Sequence, residues 1–167
     1  SGRLRLRFGG SLVIMRKKNL QEVVKMKRTF RLAKSSDVDA IFLLYKKRVR
    51  WMDEKGIQQW NVTSYLDAYP LEYYIRQQSL GNLYVFAENN IIMGAVVLLQ
   101  EDERWKENTK LPAFYVHNLV TDIRAKNAGR NILSKAEAIA RQEGKLFVRL
   151  DCARDNAFLN GFYSSLG

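Results

Sequence analysis

The sequence predicts a mixed α/β (α+β) domain: a mostly antiparallel, twisted sheet with helices on both faces. Three observations predict it. The apolar runs Leu83 to Glu88 and Ile91 to Gln100 are separated only by Asn89-Asn90, and Phe114 to Val120 follows, which is the pattern of a strand meander. An amphipathic helical stretch then separates Phe114 to Val120 from Leu146 to Asp151. Those two strands should therefore be parallel, joined by a right-handed crossover. Two further helical stretches precede the meander and can cover the opposite face.

Taken in order, Thr29 to Ala33 is a short strand, and Ser35-Ser36-Asp37 supplies N-cap chemistry for the first helix. Val38, Ile41, Phe42, Tyr45, Val49 and Met52 follow helical spacing up to Gly56. Ile57 to Tyr69 is aromatic and polar, Pro70 marks a new start, and Leu71 to Ser79 reads as a second helix stopped near Gly81. The Asn89-Asn90 pair suits a two-residue turn that needs positive φ. Glu101 to Lys110 is a charged loop. In the crossover helix, Ile132, Leu133, Ala136, Ile139 and Ala140 share one face, and Gly144 ends it. Asn156 to Ser165 is a last short helix.

The 167 residues make one domain with enough chain for a sizeable core. No apolar run approaches a bilayer span, so no membrane partner is expected. One cysteine, Cys152, excludes an intrachain disulfide and suits a cytoplasmic home, with Cys152 read as a small buried residue. One His and one Cys offer no structural zinc site, and no metal is expected. The net charge of +11 is unevenly placed: residues 1–34 hold 11 of the 28 Lys/Arg and 1 of the 17 acids, leaving 17 basic and 16 acidic residues for the rest. The basicity thus belongs to a terminal arm, and nucleic acid is not the expected partner of the body. Residues 1–25 form that arm and 26–167 the main domain, with Met26 its natural start and Met15 the alternative.

The stretch that carries chemistry is Val120 to Leu133, where a strand runs into Arg124-Ala125-Lys126-Asn127-Ala128-Gly129-Arg130 and then a helix. A helix start presents unsatisfied N–H groups, and basic side chains beside it make a place for phosphate. By itself this is a generic anion cradle. The chain's end adds Arg149-Leu150-Asp151-Cys152, then Asn156, then Phe162-Tyr163 and Leu166-Gly167. Together these motifs resemble the GNAT superfamily of acetyl-CoA-dependent N-acetyltransferases, as a bacterial-type member. In that superfamily a strand ending roughly in "RLD" leads to an Asn, with the Tyr of an "fY…lG" helix seven residues on, the spacing of Asn156 and Tyr163. Its phosphate loop, Arg/Gln-x-x-Gly-x-Gly/Ala, falls on Arg124, Asn127 and Gly129. Asn127 stands where the superfamily usually has Gly; Asn tolerates left-handed φ better than most residues.

The resemblance implies a GNAT-like acyl-CoA N-acyltransferase fold over about Thr29 to Gly167, with acetyl-CoA as co-substrate. Its pyrophosphate would meet the segment Arg124, Ala125, Lys126, Asn127, Ala128, Gly129 and Arg130. Pantetheine would pair with the backbone of Leu119 and Val120, where neighbouring strands splay, and with Asn156. Direct attack of a primary amine in a ternary complex needs a base, an oxyanion donor and an acid for the thiolate. The acid's role falls by resemblance on Tyr163.

His117, the only His, has a suitable intrinsic pKa for the base. Strand alternation puts it on one face with Tyr115 and Leu119. Trp51, Glu54, Trp60 and Asp151 are the substrate-side candidates, because aromatic faces with carboxylates suit a cationic amine, from a small molecule or a peptide. Packing between helices is the competing role for the aromatics. Two other readings are a non-catalytic acyl-CoA sensor and a nucleic-acid-associated protein that acts through its arm.

Arg3 to Phe8 alternates charged and apolar residues, Gly9-Gly10 marks a turn, and Ser11 to Met15 is mostly apolar, which reads as a hairpin. Chains of the superfamily continue past the last helix into a hairpin, whereas this sequence stops at Gly167. Residues 3–18 are therefore expected to fill that sheet edge, in cis or in the partner of a homodimer. Deleting residues 1–25 should lower the thermal midpoint or change the oligomeric state by light scattering. If neither moves, the arm does not have this role.

Overall fold

A computed structural model describes residues 4–8, 11–15, 27–103, 111–150 and 161. In the arm, β1 (Leu4–Phe8) and β2 (Ser11–Met15) pair antiparallel, from Leu4 opposite Met15 to Phe8 opposite Ser11. They form a two-stranded sheet of their own. The expected hairpin is present, and its docking on another sheet edge is not among these pairings.

The domain's sheet contains β3 (Arg28–Leu32), β4 (Leu83–Glu88), β5 (Ile91–Leu99), β6 (Ala113–Thr121) and β7 (Phe147–Leu150), in that spatial order. All neighbours are antiparallel except β6 and β7, which are parallel, as the crossover predicts. The β4–β5 turn has Asn89 at φ 50° and Asn90 at φ 67°. Both central residues are therefore left-handed, the conformation whose twist matches a tight hairpin.

Helix α1 (Val38–Lys55) ends at Gly56, which takes φ 65° as the left-handed cap. Its start differs from the simple capping expectation. Ser35–Asp37 form a 3-10 turn, and the Asp37 carboxylate turns back to accept from the Lys34 N–H (2.7 Å) and the Arg31 guanidinium (2.7 Å). That pair ties the helix start to β3 and holds the Asp37 carboxyl below the usual carboxylate range. A turn at Trp60–Val62, the short α2 (Tyr65–Ala68) and α3 (Leu71–Ser79) follow. Helix α4 (Ala128–Gln142) is the crossover between β6 and β7. The last helix expected over Asn156 to Ser165 lies outside the described residues, apart from Gly161, which is helical.

Strand alternation divides the core in two. Val85, Ala95, Val97 and Val120 face one way and pack with Ile41, Leu44, Tyr45, Tyr65 and Tyr74 of α1–α3. Phe86, Val96, Leu98, Phe114 and Val116 face the other way and pack with Ile132, Leu133, Ala136 and Ala140 of α4. Ile132 and Tyr45 are fully buried, each contributing about 2 kcal/mol from apolar burial.

Helix α4 lies close against the sheet at Gly94. A Cβ there would stand 2.7 Å from Ile132 Cδ1 and 3.0 Å from the Val120 carbonyl oxygen. The Ile132 methyl can swing aside, but the Val120 backbone cannot move without shifting β6. Gly94→Ala should destabilise the protein by roughly 1–3 kcal/mol, read as a lower urea midpoint with an unchanged slope.

Candidate active site: the outer edge of β6 and the start of α4

The site begins with an irregularity in β6. Opposite β5, Tyr115, Val116 and His117 pair with Leu99, Leu98 and Val97, but Val120 pairs with Ala95. Asn118 and Leu119 thus share the space opposite Val96, a β-bulge with Asn118 at φ 51°. The bulge corrects one sequence expectation. His117 pairs with Val97, whose side chain lies on the α1–α3 face, whereas Leu119 packs in the α4 cluster. The extra residue interrupts the alternation, so His117 and Tyr115 share a face and Leu119 takes the opposite one.

On the other side of β6 the described pairing stops at the same level. β7 pairs with it only over Ala113–Val116. Among the described residues, Asn118 to Thr121 have no strand beside them on that side. The side of Asn118 to Thr121 that faces away from β5 is the kind of edge to which an extended chain or ligand can add.

This edge runs directly into the basic loop. Asp122, 7% exposed, accepts from the Arg124 backbone N–H (2.9 Å) and from the Arg124 guanidinium at 2.9 and 3.0 Å. These bonds, chiefly the guanidinium's, hold the Asp122 carboxyl down to about 2. The Arg124 side chain is therefore engaged in shaping the loop. Lys126 and Arg130 are the exposed cations closest to the helix start.

Asn127 is the N-cap of α4 at φ 61°, ψ 8°, with no side-chain capping bond. The position does require the left-handed conformation that Gly favours, and Asn is among the residues that tolerate it. The backbone then enters α4, whose opening turn over Ala128, Gly129 and Arg130 aims N–H groups out of the helix end. Edge and helix end together fit a long extended ligand that terminates in phosphate.

On the α1–α3 face, His117 Nε2 lies 2.9 Å from Asp102 Oδ2, with the two side chains only 13% and 8% exposed. An ionised carboxylate only accepts, so Nε2 donates to Asp102. Asp102 was not a sequence candidate; it sits in the charged loop after β5, where nothing local distinguishes it from Glu101 or Glu103. Asn118 was missed for the same reason, since an Asn inside a strand pattern carries no periodic signal.

The aromatic candidates divide. Trp60 stacks on Tyr65 with ring centroids 4.4 Å apart, and Tyr65 reaches Asn118, so Trp60 joins the β6 cluster as packing. Trp51 lies under the Arg48 guanidinium at 5.0 Å, and Arg48 donates to the Thr121 carbonyl (2.7 Å) at the end of the open edge. Glu54 is exposed near the end of α1. Asp151, Cys152, Asn156 and Tyr163 lie outside the described residues. Among the described residues, no group of three or more His, Cys, Asp or Glu could hold a metal ion. No described helix is long and apolar enough to cross a membrane.

A model of the acetyltransferase (GNAT) family matches residues 46–167. The chain belongs to the GNAT family of acetyltransferases. The match spans α1 to the chain's end, and so includes the open edge and the α4 loop. The chain is 24% identical over 138 residues to the uncharacterized N-acetyltransferase YesJ of Bacillus subtilis, covering 78% of this chain and 76% of that protein. Among solved structures it is similar to a GNAT-family acetyltransferase of Listeria monocytogenes, with a TM-score of 0.73 at 20% identity over 98% of this chain and 90% of that one. It is also similar to the PaiA N-acetyltransferase of Thermoplasma acidophilum in complex with coenzyme A, with a TM-score of 0.60 at 20% identity, covering 85% and 89%. At these identities the solved structures speak for the fold. Acetyl transfer from acetyl-CoA is the GNAT family's chemistry.

Because the Asp122 carboxyl is depressed from 3.8 to about 2 in the folded chain, its ionised form stabilises the fold. That contribution is complete above about pH 4 and disappears as the pH falls through about 2. Asp122→Asn should cost on the order of 1 kcal/mol at pH 7, since the exposed Arg124 partner is well screened. Chemical unfolding at pH 7, 4, 3 and 2 should show the difference from wild type shrinking across the last three.

Proposed function

We propose that the protein is an N-acetyltransferase that moves the acetyl group of acetyl-CoA to a primary amine by direct attack in a ternary complex. The observation that carries this reading is the adjacency of three features on one length of chain: the bulge at Asn118, the open edge through Thr121, and the left-handed Asn127 at the start of α4. When bound, acetyl-CoA supplies a thioester carbonyl activated toward amines.

The chain's own groups have separable roles in that reading. Backbone groups of Leu119 and Val120 receive the pantetheine arm as an added strand would be received. The α4 opening turn from Asn127 to Arg130 receives the pyrophosphate, with Lys126 and Arg130 contributing positive potential. Arg124 and Ala125 shape the approach through Asp122, whose carboxylate holds the Arg124 side chain and whose carbonyl accepts from the Ala125 N–H at 3.0 Å. His117, held by Asp102, takes the proton that the substrate ammonium must lose before its nitrogen can attack the thioester. Tyr163 donates a proton to the departing thiolate, and Asn156 adds a contact to pantetheine.

The amine approaches from the α1–α3 side, where Trp51 and Glu54, with Asp151, form the substrate-side set and Trp60 packs against Tyr65. The stretch Gly56 to Ile75 contains no Lys or Arg but carries Asp67, Glu72, Trp60 and four tyrosines. In a chain of net charge +11, that is the composition a cationic amine would meet most favourably. The protein is proposed to work in the cytoplasm, with a homodimer as the assembly in which the arm's hairpin could complete a neighbour's sheet.

Thiol release from acetyl-CoA, followed across a panel of primary amines and peptides, tests the reading. Turnover with at least one amine is expected, and Tyr163→Phe should lower kcat by about 10²-fold or more. Measurable CoA binding without turnover on any amine would favour an acyl-CoA sensor. Equal rates in wild type and Tyr163→Phe would remove the assigned acid.

A further inference from the structure

Asn118 occupies a backbone conformation that a side chain rarely adopts, in the middle of a strand. Three hydroxyls from three separate helices hold it there. Its carbonyl, turned out of the sheet, accepts from the hydroxyl of Tyr45 on α1. Its side-chain Oδ1 accepts from the hydroxyl of Tyr73 on α3 at 2.9 Å. Its Nδ2 donates to the hydroxyl of Tyr65 on α2 at 2.6 Å.

Burial pushes the Tyr45 hydroxyl well above its ordinary range and that of Tyr65 up to about 12. Both therefore stay neutral over the working pH range and keep their hydrogen-bonding roles. The rings behind them are locked as well: Tyr45 stacks on Tyr74 at 4.5 Å, Tyr69 meets Tyr65 at 4.8 Å, and Tyr73 meets Tyr74 at 5.1 Å.

We infer that Asn118 is a positioning residue for acyl-CoA, its clamped bulge setting the line along which Leu119 to Thr121 leave the sheet. This rests on the acetyl-transfer reading above. The chain has no slack between the clamp and the phosphate loop, because Val120 and Thr121 are paired to Ala95 and Gly94 and the Asp122 N–H donates to the Met93 carbonyl at 2.8 Å. A change in the bulge is therefore carried into the edge and not absorbed beside it. The chemistry also explains the residue type. An amide offers one acceptor and one donor to two hydroxyls and tolerates positive φ. Glycine satisfies only the φ, while aspartate satisfies the φ and the Tyr73 bond, with the Tyr65 hydroxyl turned to donate. The clamp also joins the helices that face the amine to the strand that faces acyl-CoA.

The test is calorimetric titration of the full chain with CoA, alongside thermal melting, for wild type, Asn118→Gly, Asn118→Asp, Tyr73→Phe and Tyr74→Phe. Tyr74 does not bond Asn118; its hydroxyl lies 3.5 Å from that of Tyr65, so Tyr74→Phe reports what loosening the cluster behind the clamp does while every bond to Asn118 is kept. The expected result is a Kd for CoA raised about 10-fold or more in Asn118→Gly and several-fold in Tyr73→Phe. Asn118→Asp should return to within a few-fold of wild type, and Tyr74→Phe should leave Kd unchanged despite a lower midpoint.

A wild-type Kd in Asn118→Gly overturns the role, as does an equal loss in Asn118→Asp and Asn118→Gly. If Asn118→Gly does not fold, an unchanged Kd in Tyr73→Phe overturns it. Wild-type protein that binds no CoA overturns the acetyl-transfer reading and this role with it. Wild-type binding combined with an indifferent Asn118→Gly overturns this role alone.

Discussion

The side-chain amide of Asn118, caught between the hydroxyls of Tyr65 and Tyr73, is the contact on which the arrangement of the site depends. A strand residue at positive φ is unfavourable, and a bulge persists only where its surroundings over-determine it. Here they do so with hydrogen bonds from α1, α2 and α3, each from a tyrosine whose ring lies in the aromatic packing between helices and sheet. The bulge in turn decides which side chains of β6 face which core. His117 stays with the α1–α3 face while Leu119 crosses to the α4 face. One extra residue thereby separates the His117–Asp102 pair from the packing of the crossover helix.

The two cores place complementary demands on the same strand. On the α4 side, Gly94 lets the helix approach until Ile132 fills the space above it, which fixes the height of the α4 start over the sheet. On the other side, Arg48 reaches from α1 to the Thr121 carbonyl, and burial lowers the guanidinium's pKa while Asp122 supports its charge. The end of β6 is thus held from both faces just before the chain turns into the basic loop. That loop is shaped by Asp122 and Arg124, so one of its three cations serves geometry. An anion at the helix end is met by backbone N–H groups with Lys126 and Arg130 at hand, which suits a ligand recognised by its shape as much as by its charge.

Much of the fold was legible in the chain because it follows from local rules. The Asn89-Asn90 turn, the helix stop at Gly56 and the crossover after Phe114 each rest on residues adjacent in sequence. The turn into α4 was legible for the same reason, and Asn127 there takes a φ of 61°, the left-handed conformation the turn requires. The Asp37 cap was misread in detail, because its carboxylate has a stronger partner in Arg31, a cation on the neighbouring strand. The aromatic residues of Ile57 to Tyr69 could not be sorted into packing and binding from spacing alone. Only three-dimensional contact shows that Trp60 stacks on Tyr65 whereas Trp51 backs Arg48.

By itself the sequence determined the order of strands and helices, the parallel crossover, the position of the loop that opens α4 and the separation of a basic arm from a nearly neutral body. These depend on periodicity, turn chemistry and charge, which act over a few residues. Tertiary structure alone decided the bulge at Asn118 and the pairing of His117 with Asp102. Each joins groups from elements distant in the chain: Tyr45, Tyr65 and Tyr73 lie 73, 53 and 45 residues from Asn118. No local pattern encodes such meetings, because the energy that holds them appears only once the helices have packed on the sheet.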